Sequence, residues 1–320
     1  MKTEIGGYFE LELTNHGGFM YDSFPLLNSG RHALEFILKA HDNIRMLYVP
    51  RYTCDVVYQT LNRFGIPFQL YHINDRLEIA DDIKLEDDEY IVVNNYFGLK
   101  DDYIRSLTLK YRRGLIVDNA QAWYTPPILF TDSFYSPRKF FGIPDGGIAI
   151  PTSEYSPNLQ QDQSYEYCGH LLKRLDLPAS EGREDFAQSS ERIKKSGMMW
   201  MSKLTKLLLS SINFDWIKIV RRSNYDTLAS ALDKTNLLET PSAFNVACPM
   251  VYPYRTKNTD LRQKLIDNKI FVATYWPNVI NSEPKDSTEY LLATEILPLP
   301  IDQRYGEEEM QYIIKTINDK

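Results

Sequence analysis

Apolar and polar positions along the first half of the chain follow two alternating periods. Residues 29–40, SGRHALEFILKA, place Ala33, Leu34, Ile37 and Leu38 at helical spacing. Residues 46–49 form a short apolar run closed by Pro50, which predicts a strand. Residues 54–64 again read as a helix, stopped by Gly65 and Pro67. Strands are predicted over 68–71 and 90–93, a third helix over 101–111, and a further strand over 114–117. Strands separated by helices of this length predict an α/β fold, with a mostly parallel sheet covered by helices on both faces. Ligands of such sheets bind outside the carboxyl ends of the strands. Asn94, Asn95, Tyr96 and Asp118 fall at those ends.

The pattern changes after residue 155. Residues 155–235 read as mostly helical and charged. Within 202–219 an apolar stripe runs through Leu204, Leu207, Leu208 and Ile212, and reads as core or subunit contact. The segment 238–243, LETPSA, predicts a hinge. Strands near 244–251 and 270–274 and a last helix over 307–317 predict a small α+β unit. The domain reading is therefore 1–240 as a large α/β part, helical from 155 onward, and 241–320 as the small part. No internal repeat or low-complexity tract stands out.

Composition narrows the function classes. The chain has 320 residues, 43% of them hydrophobic and 25% charged, an ordinary globular balance. A net charge of −7 argues against general nucleic-acid binding, which needs a basic field. The pairs Lys173-Arg174, Lys194-Lys195 and Arg221-Arg222 read as solvated helix faces, with contact to an anionic substrate as the alternative. Three separated cysteines and five scattered histidines form neither a CxxC pair nor an HExxH pattern, so no metal is expected. The N-terminal residues lack the apolar segment of a signal peptide, and no run approaches the ~20 residues of a membrane span. The expected location is the cytoplasm.

The chemistry concentrates between residues 114 and 147. Asp118 closes the apolar run Leu115-Ile116-Val117, Gln121 follows three residues later, and Lys139 precedes the Gly146-Gly147 turn. An acid at a strand end, a polar partner and one lysine suit pyridoxal phosphate. There a lysine forms a Schiff base with the cofactor aldehyde, and an acid keeps the pyridine nitrogen protonated. Plain readings exist for each residue. Lys139 beside Arg138 could be a solvated basic pair, Asp118 a helix N-cap, Gly30 a turn glycine and His32 a satisfied polar residue. Trp276-Pro277 reads as packing, and Gly146-Gly147 as a tight turn.

Short motifs recur in a telling order: LNSGRHAL (27–34), VPRYTC (49–54), NNYFG (94–98), IVDNAQAW (116–123), SPRKFFGIPDGG (136–147), ATYWP (273–277) and ILPLPID (296–302). In this order they resemble the sugar-nucleotide aminotransferases of the DegT–DnrJ–StrS type, within the fold type I pyridoxal phosphate enzymes. The resemblance covers most of 25–150 and returns weakly from 270 to the end; residues 155–240 match poorly. It implies a homodimer with the cofactor at the subunit interface. It also implies an amino acid donor, glutamate, and a keto-sugar nucleotide as acceptor, with products used in surface polysaccharides or natural-product glycosides.

By position, the resemblance makes Lys139 the Schiff-base lysine and later proton shuttle, Asp118 the pyridinium partner, and Gln121 the contact to the ring hydroxyl. Gly30, Arg31 and His32 open a helix that gives N–H groups to the cofactor phosphate, as helix N-termini favour. Ser133 or Ser136 adds a hydroxyl there; Phe134 stands where the family serine lies. The family has small residues in place of Arg31 and His32. It has an aromatic ring in place of Cys54, so stacking falls to Tyr96 or Phe97. Two other functions fit the same residues. One is a catalytically silent homologue that binds the cofactor for sensing or scaffolding. The other is a sugar dehydratase or lyase, which Lys139 opposes because the related dehydratases carry a histidine there.

Overall fold

The computed structural model describes residues 7–319. The reading of the first residues as lacking a signal peptide concerns in part residues 1–6, which lie outside the described ones. In the first half the elements run β1 Leu26–Leu27, α1 Gly30–Ala40, β2 Met46–Pro50, α2 Asp55–Phe64 and β3 Phe68–Tyr71. They continue with β4 Glu89–Asn94, α3 Asp101–Tyr111, β5 Leu115–Asn119, β6 Asp132–Tyr135 and β7 Gly147–Ile150. The sheet has seven strands in the order β1-β7-β6-β5-β4-β2-β3. Pairings from β3 across to β6 are parallel, while β7 runs antiparallel to both β6 and β1. The mostly parallel sheet expected from the alternation is present, with an antiparallel edge.

Side-chain alternation builds two cores, one on each face. Val92, Ile116, Phe134 and Ala149 pack with Leu34 and Ile37 of α1 and Val57 and Leu61 of α2. Their neighbours Ile91, Val93, Leu115, Val117 and Tyr135 face the other way, with Ile104 and Leu107 of α3. Helices therefore cover both faces, as predicted. Gly147 has a specific reason to lack a Cβ: one would stand 2.0 Å from the Ser29 carbonyl oxygen. That absence lets the start of α1 lie directly against β7.

The second half comprises α4 Gly169–Asp176, α5 Arg183–Lys195, α6 Lys203–Ser210, α7 Phe214–Leu232, β8 Tyr252–Arg255, α8 Leu261–Asp267, α9 Pro277–Ser282, α10 Thr288–Glu295, β9 Ile296–Leu299 and α11 Glu307–Asn318. Residues 155–235 are mainly helical and the last helix forms as expected. Two strand expectations fail, and the stripe read as core or subunit contact is divided, with Leu208 and Ile212 packed against the core. The stripe through residues 204–212 is not one buried face. Asn213 accepts from the Trp216 N–H and starts a new helix, so Leu209 and Ile217 are buried while Leu207 is exposed. The strand expected over 244–251 forms further on, at β8. The strand expected over 270–274 is absent, because Arg262 donates to the carbonyls of Val272 and Ala273 in place of a neighbouring strand. The partner of β8 is β9, in the ILPLP segment, paired antiparallel. No helix among the described residues is long and apolar enough to cross a membrane.

Candidate active site

Register brings the chemistry to one place. Asn94 and Asp118 are paired across β4 and β5 at their carboxyl ends. By strand parity both lie on the face that carries α1 and α2, two residues beyond Val92 and Ile116. Here a cavity opens, lined by Cys54, Asn94, Asn95, Asp118, Gln121, Lys139 and Trp276. It is very small, about 20 Å³, far below the roughly 300–1,000 Å³ of sites that enclose a drug-sized molecule. A larger depression of about 250 Å³ at the opposite end of the strands, lined by Glu86, Asp87 and Arg113 among others, holds none of the predicted residues.

Each lining group is positioned by the local chain. Asp118 Oδ1 accepts from the Ala120 N–H at 2.8 Å, a bond within a turn and not the helix N-cap foreseen for it, since no helix follows, and its carboxylate faces the cavity. Burial pushes its carboxyl above the usual range; the Lys139 ammonium and the Ala120 N–H oppose that push. Gln121 sits within a turn closed by Ala122 N–H to Asn119 O. Its Oε1 accepts from the Phe97 N–H at 2.9 Å, which fixes the amide orientation and aims Nε2 as a donor. Lys139 ends a short 3₁₀ turn, Pro137–Lys139, and is open to solvent. The next residue is anchored from far away: the Phe140 carbonyl accepts from Arg221 at 3.3 Å and from Gln303 at 2.9 Å. Arg221 is only 2% exposed, and its guanidinium lies over the Phe140 ring. Asn95 donates to Asp101, which also accepts from Thr125 and from the Ala247 N–H. This buried network ties the strand ends to α3 and to the C-terminal part.

The helix start is close by. Ser29 caps α1, accepting from the His32 N–H at 3.2 Å. A Cβ on Gly30 would stand 3.1 Å from the Ser136 Cβ, so the first turn of α1 and Ser136 are immediate neighbours. Arg31 is half-buried, with long contacts to Gln59 and to the Lys194 carbonyl. Burial, then the nearby Arg63, lowers the pKa of its guanidinium.

Several predicted residues are not brought to the cavity. His32 is fully buried, its Nδ1 held by Asn28 and Ser29, and its N–H is spent on the cap. Ser133 shares its strand face with Tyr135, away from α1, so of the two serines only Ser136 adjoins Gly30. Tyr96 is buried with its hydroxyl on the Tyr52 carbonyl, and it packs behind Trp276 rather than lining the cavity. Phe97 packs against Tyr275. Trp276, read from the sequence as packing, lines the cavity, as does Cys54. Arg221, read from the sequence as half of a solvated pair, is buried instead, and Gln303, a loop glutamine, carried no spacing signal.

Unsatisfied polar atoms test what the cavity can hold. Gln121 Nε2 and Asn94 Oδ1 are buried at the lining with no hydrogen-bond partner. Buried polar atoms without a partner are uncommon and point to a missing ligand or water. A donor amide, a carboxylate and an amine around one small cavity fit, by their chemistry, the polar edge of a flat heteroaromatic ring; the helix N-terminus with Arg31 and Ser136, which suits a phosphate, lies outside the cavity lining.

No protein-family model matches the chain, and no curated protein matches it. Solved structures do. Sugar aminotransferase CalS13 from Micromonospora echinospora is 15% identical, with 93% of this chain and 87% of that one aligned at a TM-score of 0.61. DesV from S. venezuelae, solved in complex with a ketimine intermediate, is 17% identical over 92% and 83% of the chains, with a TM-score of 0.59. A DegT DnrJ EryC1 StrS aminotransferase from Brucella abortus is 15% identical over 93% and 85%, also at 0.59. The chain thus has the fold of the sugar aminotransferases, the fold type I architecture that the ordered motifs implied.

Proposed function

We propose that this protein is a pyridoxal phosphate-dependent aminotransferase that moves an amino group from an amino acid, glutamate by resemblance, to a keto-sugar nucleotide. The observation that carries the reading is the meeting of Asp118, Gln121 and Lys139 around one cavity at the carboxyl ends of the strands. The fold shared with sugar aminotransferases supports it.

When bound, pyridoxal phosphate supplies an electron-withdrawing ring that acidifies the Cα–H of an attached amino acid. The residues of the chain supply the rest. Asp118 offers a carboxylate to the ring nitrogen and keeps the proton there. Gln121 Nε2, otherwise without a partner, donates to the ring hydroxyl. The first turn of α1 at Gly30 and Arg31, with the Ser136 hydroxyl, holds the phosphate. Lys139 Nζ would hold the cofactor and would accept and return a proton at the Cα of the amino acid. The clamp of Arg221 and Gln303 on the Phe140 carbonyl keeps the lysine turn in place during this exchange. We further propose a large cofactor-binding part over 1–240, a small part over 241–320, and a homodimer with the cofactor at the subunit interface.

The test is the visible absorbance spectrum of the purified protein with added pyridoxal phosphate, before and after glutamate. The expected result is a yellow band that fades with glutamate. Absence of any band overturns the cofactor assignment. A band indifferent to every amino acid donor overturns the transfer chemistry.

A further inference from the structure

The cavity has an uneven chemistry. Apart from the Cys54 thiol, every lining residue from the first half of the chain is polar or charged, and the single aromatic ring comes from residue 276. A flat heteroaromatic ring bound in water needs an apolar surface as well as polar anchors, because polar contacts alone exchange protein hydrogen bonds for those of water.

Trp276 is built into this position from several directions. Its ring meets Tyr52 edge-on at 4.5 Å and Tyr96 at 5.7 Å, and it is only 7% exposed. Its backbone is left-handed, φ 55 and ψ 66, a conformation that a bulky side chain rarely adopts. Strained residues of this kind persist where the surroundings over-determine them, and they gather at ligand sites. The following turn is pinned to the segment that carries Cys54: Asn278 Nδ2 donates to the Thr53 carbonyl at 3.0 Å. Tyr52, Thr53 and Cys54 therefore share one wall with Trp276.

We propose that Trp276 is a cofactor-binding residue: it provides the aromatic wall of the pyridoxal phosphate cavity, on the side where the start of α2 offers only a thiol. The proposal rests on the function argued above. It makes the segment after α8 part of the site, so that the C-terminal part of the chain must be seated on the sheet for the ring to be held.

The experiment uses the full chain and pyridoxal phosphate as probe, with wild type, Trp276→Leu and Trp276→Phe compared by two readouts. One is the dissociation constant from the visible band. The other is quenching of tryptophan fluorescence on binding, which does not depend on turnover. The chain has four tryptophans, and Trp276 is expected to account for the largest share of the quench. Trp276→Leu should weaken binding about tenfold, the worth of one good aromatic contact. Trp276→Phe should recover most of that affinity while still losing the quench, and the recovery shows that the fold is intact. Equal affinity and equal fractional quench in all three proteins overturn the role of Trp276 and leave the cofactor assignment standing. A wild type that shows no band and no quench overturns both. If neither variant folds, native wild type probed by fluorescence lifetime must still show one tryptophan population strongly shortened by the cofactor; four equally affected populations reject the proposal.

Discussion

Two polar clusters at opposite ends of the same strands are completed to different degrees. At the amino end of β6, Asp132 is fully buried and fully used: one oxygen takes the His41 Nε2 at 2.8 Å, the other the Thr152 N–H at 2.6 Å. His41 in turn contacts the Tyr90 hydroxyl through Nδ1. At the carboxyl end, Asn94 Oδ1 and Gln121 Nε2 have no partner, and Asp118 has a single N–H donor. Each costs about 1–3 kcal/mol when buried unpaired; bare groups occur elsewhere too, Tyr111 Oη and Ser133 Oγ among them, but these two face a cavity also lined by an acid and an amine. The difference marks the amino end as scaffold and the carboxyl end as a place prepared for something else to complete.

The sharpest way to break this comparison is at Lys139. Lys139→Ala is expected to abolish covalent cofactor attachment, so that borohydride treatment leaves no stable label. Because the side chain is exposed but its charge favours the buried Asp118 carboxylate, stability should fall by only about 1 kcal/mol, with the fold retained. Retained label in that variant would remove Lys139 from the proposed site. Asp118→Ala is the companion test. It should lose transamination while keeping some covalent attachment, since the amine is untouched; an active Asp118→Ala enzyme would end the role proposed for that carboxylate.

At the scaffold end the expectation inverts. Asp132→Ala strips His41 and the Thr152 N–H of their shared acceptor inside the core. The expected loss is about 2–4 kcal/mol of stability, read by urea denaturation, with cofactor affinity unchanged in the folded protein. If binding fell while stability held, the division of the sheet into scaffold and site would be wrong.

The same division explains what the sequence could reveal. Residues 29–40 and 115–118 were legible because a short period of apolar positions ends on a turn or an acid, and local rules suffice. The order of Asp118, Gln121 and Lys139 was legible because all three sit on consecutive strand-end loops of one α/β unit. Ser136 could not be chosen over Ser133 without knowing which face of β6 carries α1. Trp276 and Gln303 reach the site across more than a hundred residues of chain, through contacts with Tyr52 and the Phe140 carbonyl that no spacing encodes. Arg221 looked like half of a solvated pair, and only burial under the lysine turn sets it apart. The strand expected over 270–274 failed for a related reason: Arg262 took the carbonyls that a strand would have used, while the one expected over 244–251 forms only at Tyr252–Arg255, where β9 supplies a partner.

A finer test separates the two roles within one helix turn. Gly30 and Arg31 adjoin Ser136, but His32, one residue on, belongs to the core. Burial lowers the pKa of its imidazole to about 4, reinforced by Arg63 and Arg31 and only partly offset by the Ser196 backbone. In the unfolded chain the ring takes its proton near pH 6.5; in the folded chain it stays neutral until about pH 4. Stability from this group is therefore complete above pH 6.5 and declines as the pH falls toward 4, because the unfolded state binds the extra proton. The loss over that window is at most about 3 kcal/mol. Denaturation of wild type and His32→Gln at a series of pH values reads it directly. The wild-type stability should fall across the window, and the variant should show a shallower slope while binding cofactor as before. Parallel slopes would show that the acid sensitivity lies elsewhere; a selective loss of cofactor affinity in the variant would move His32 from the core back to the site.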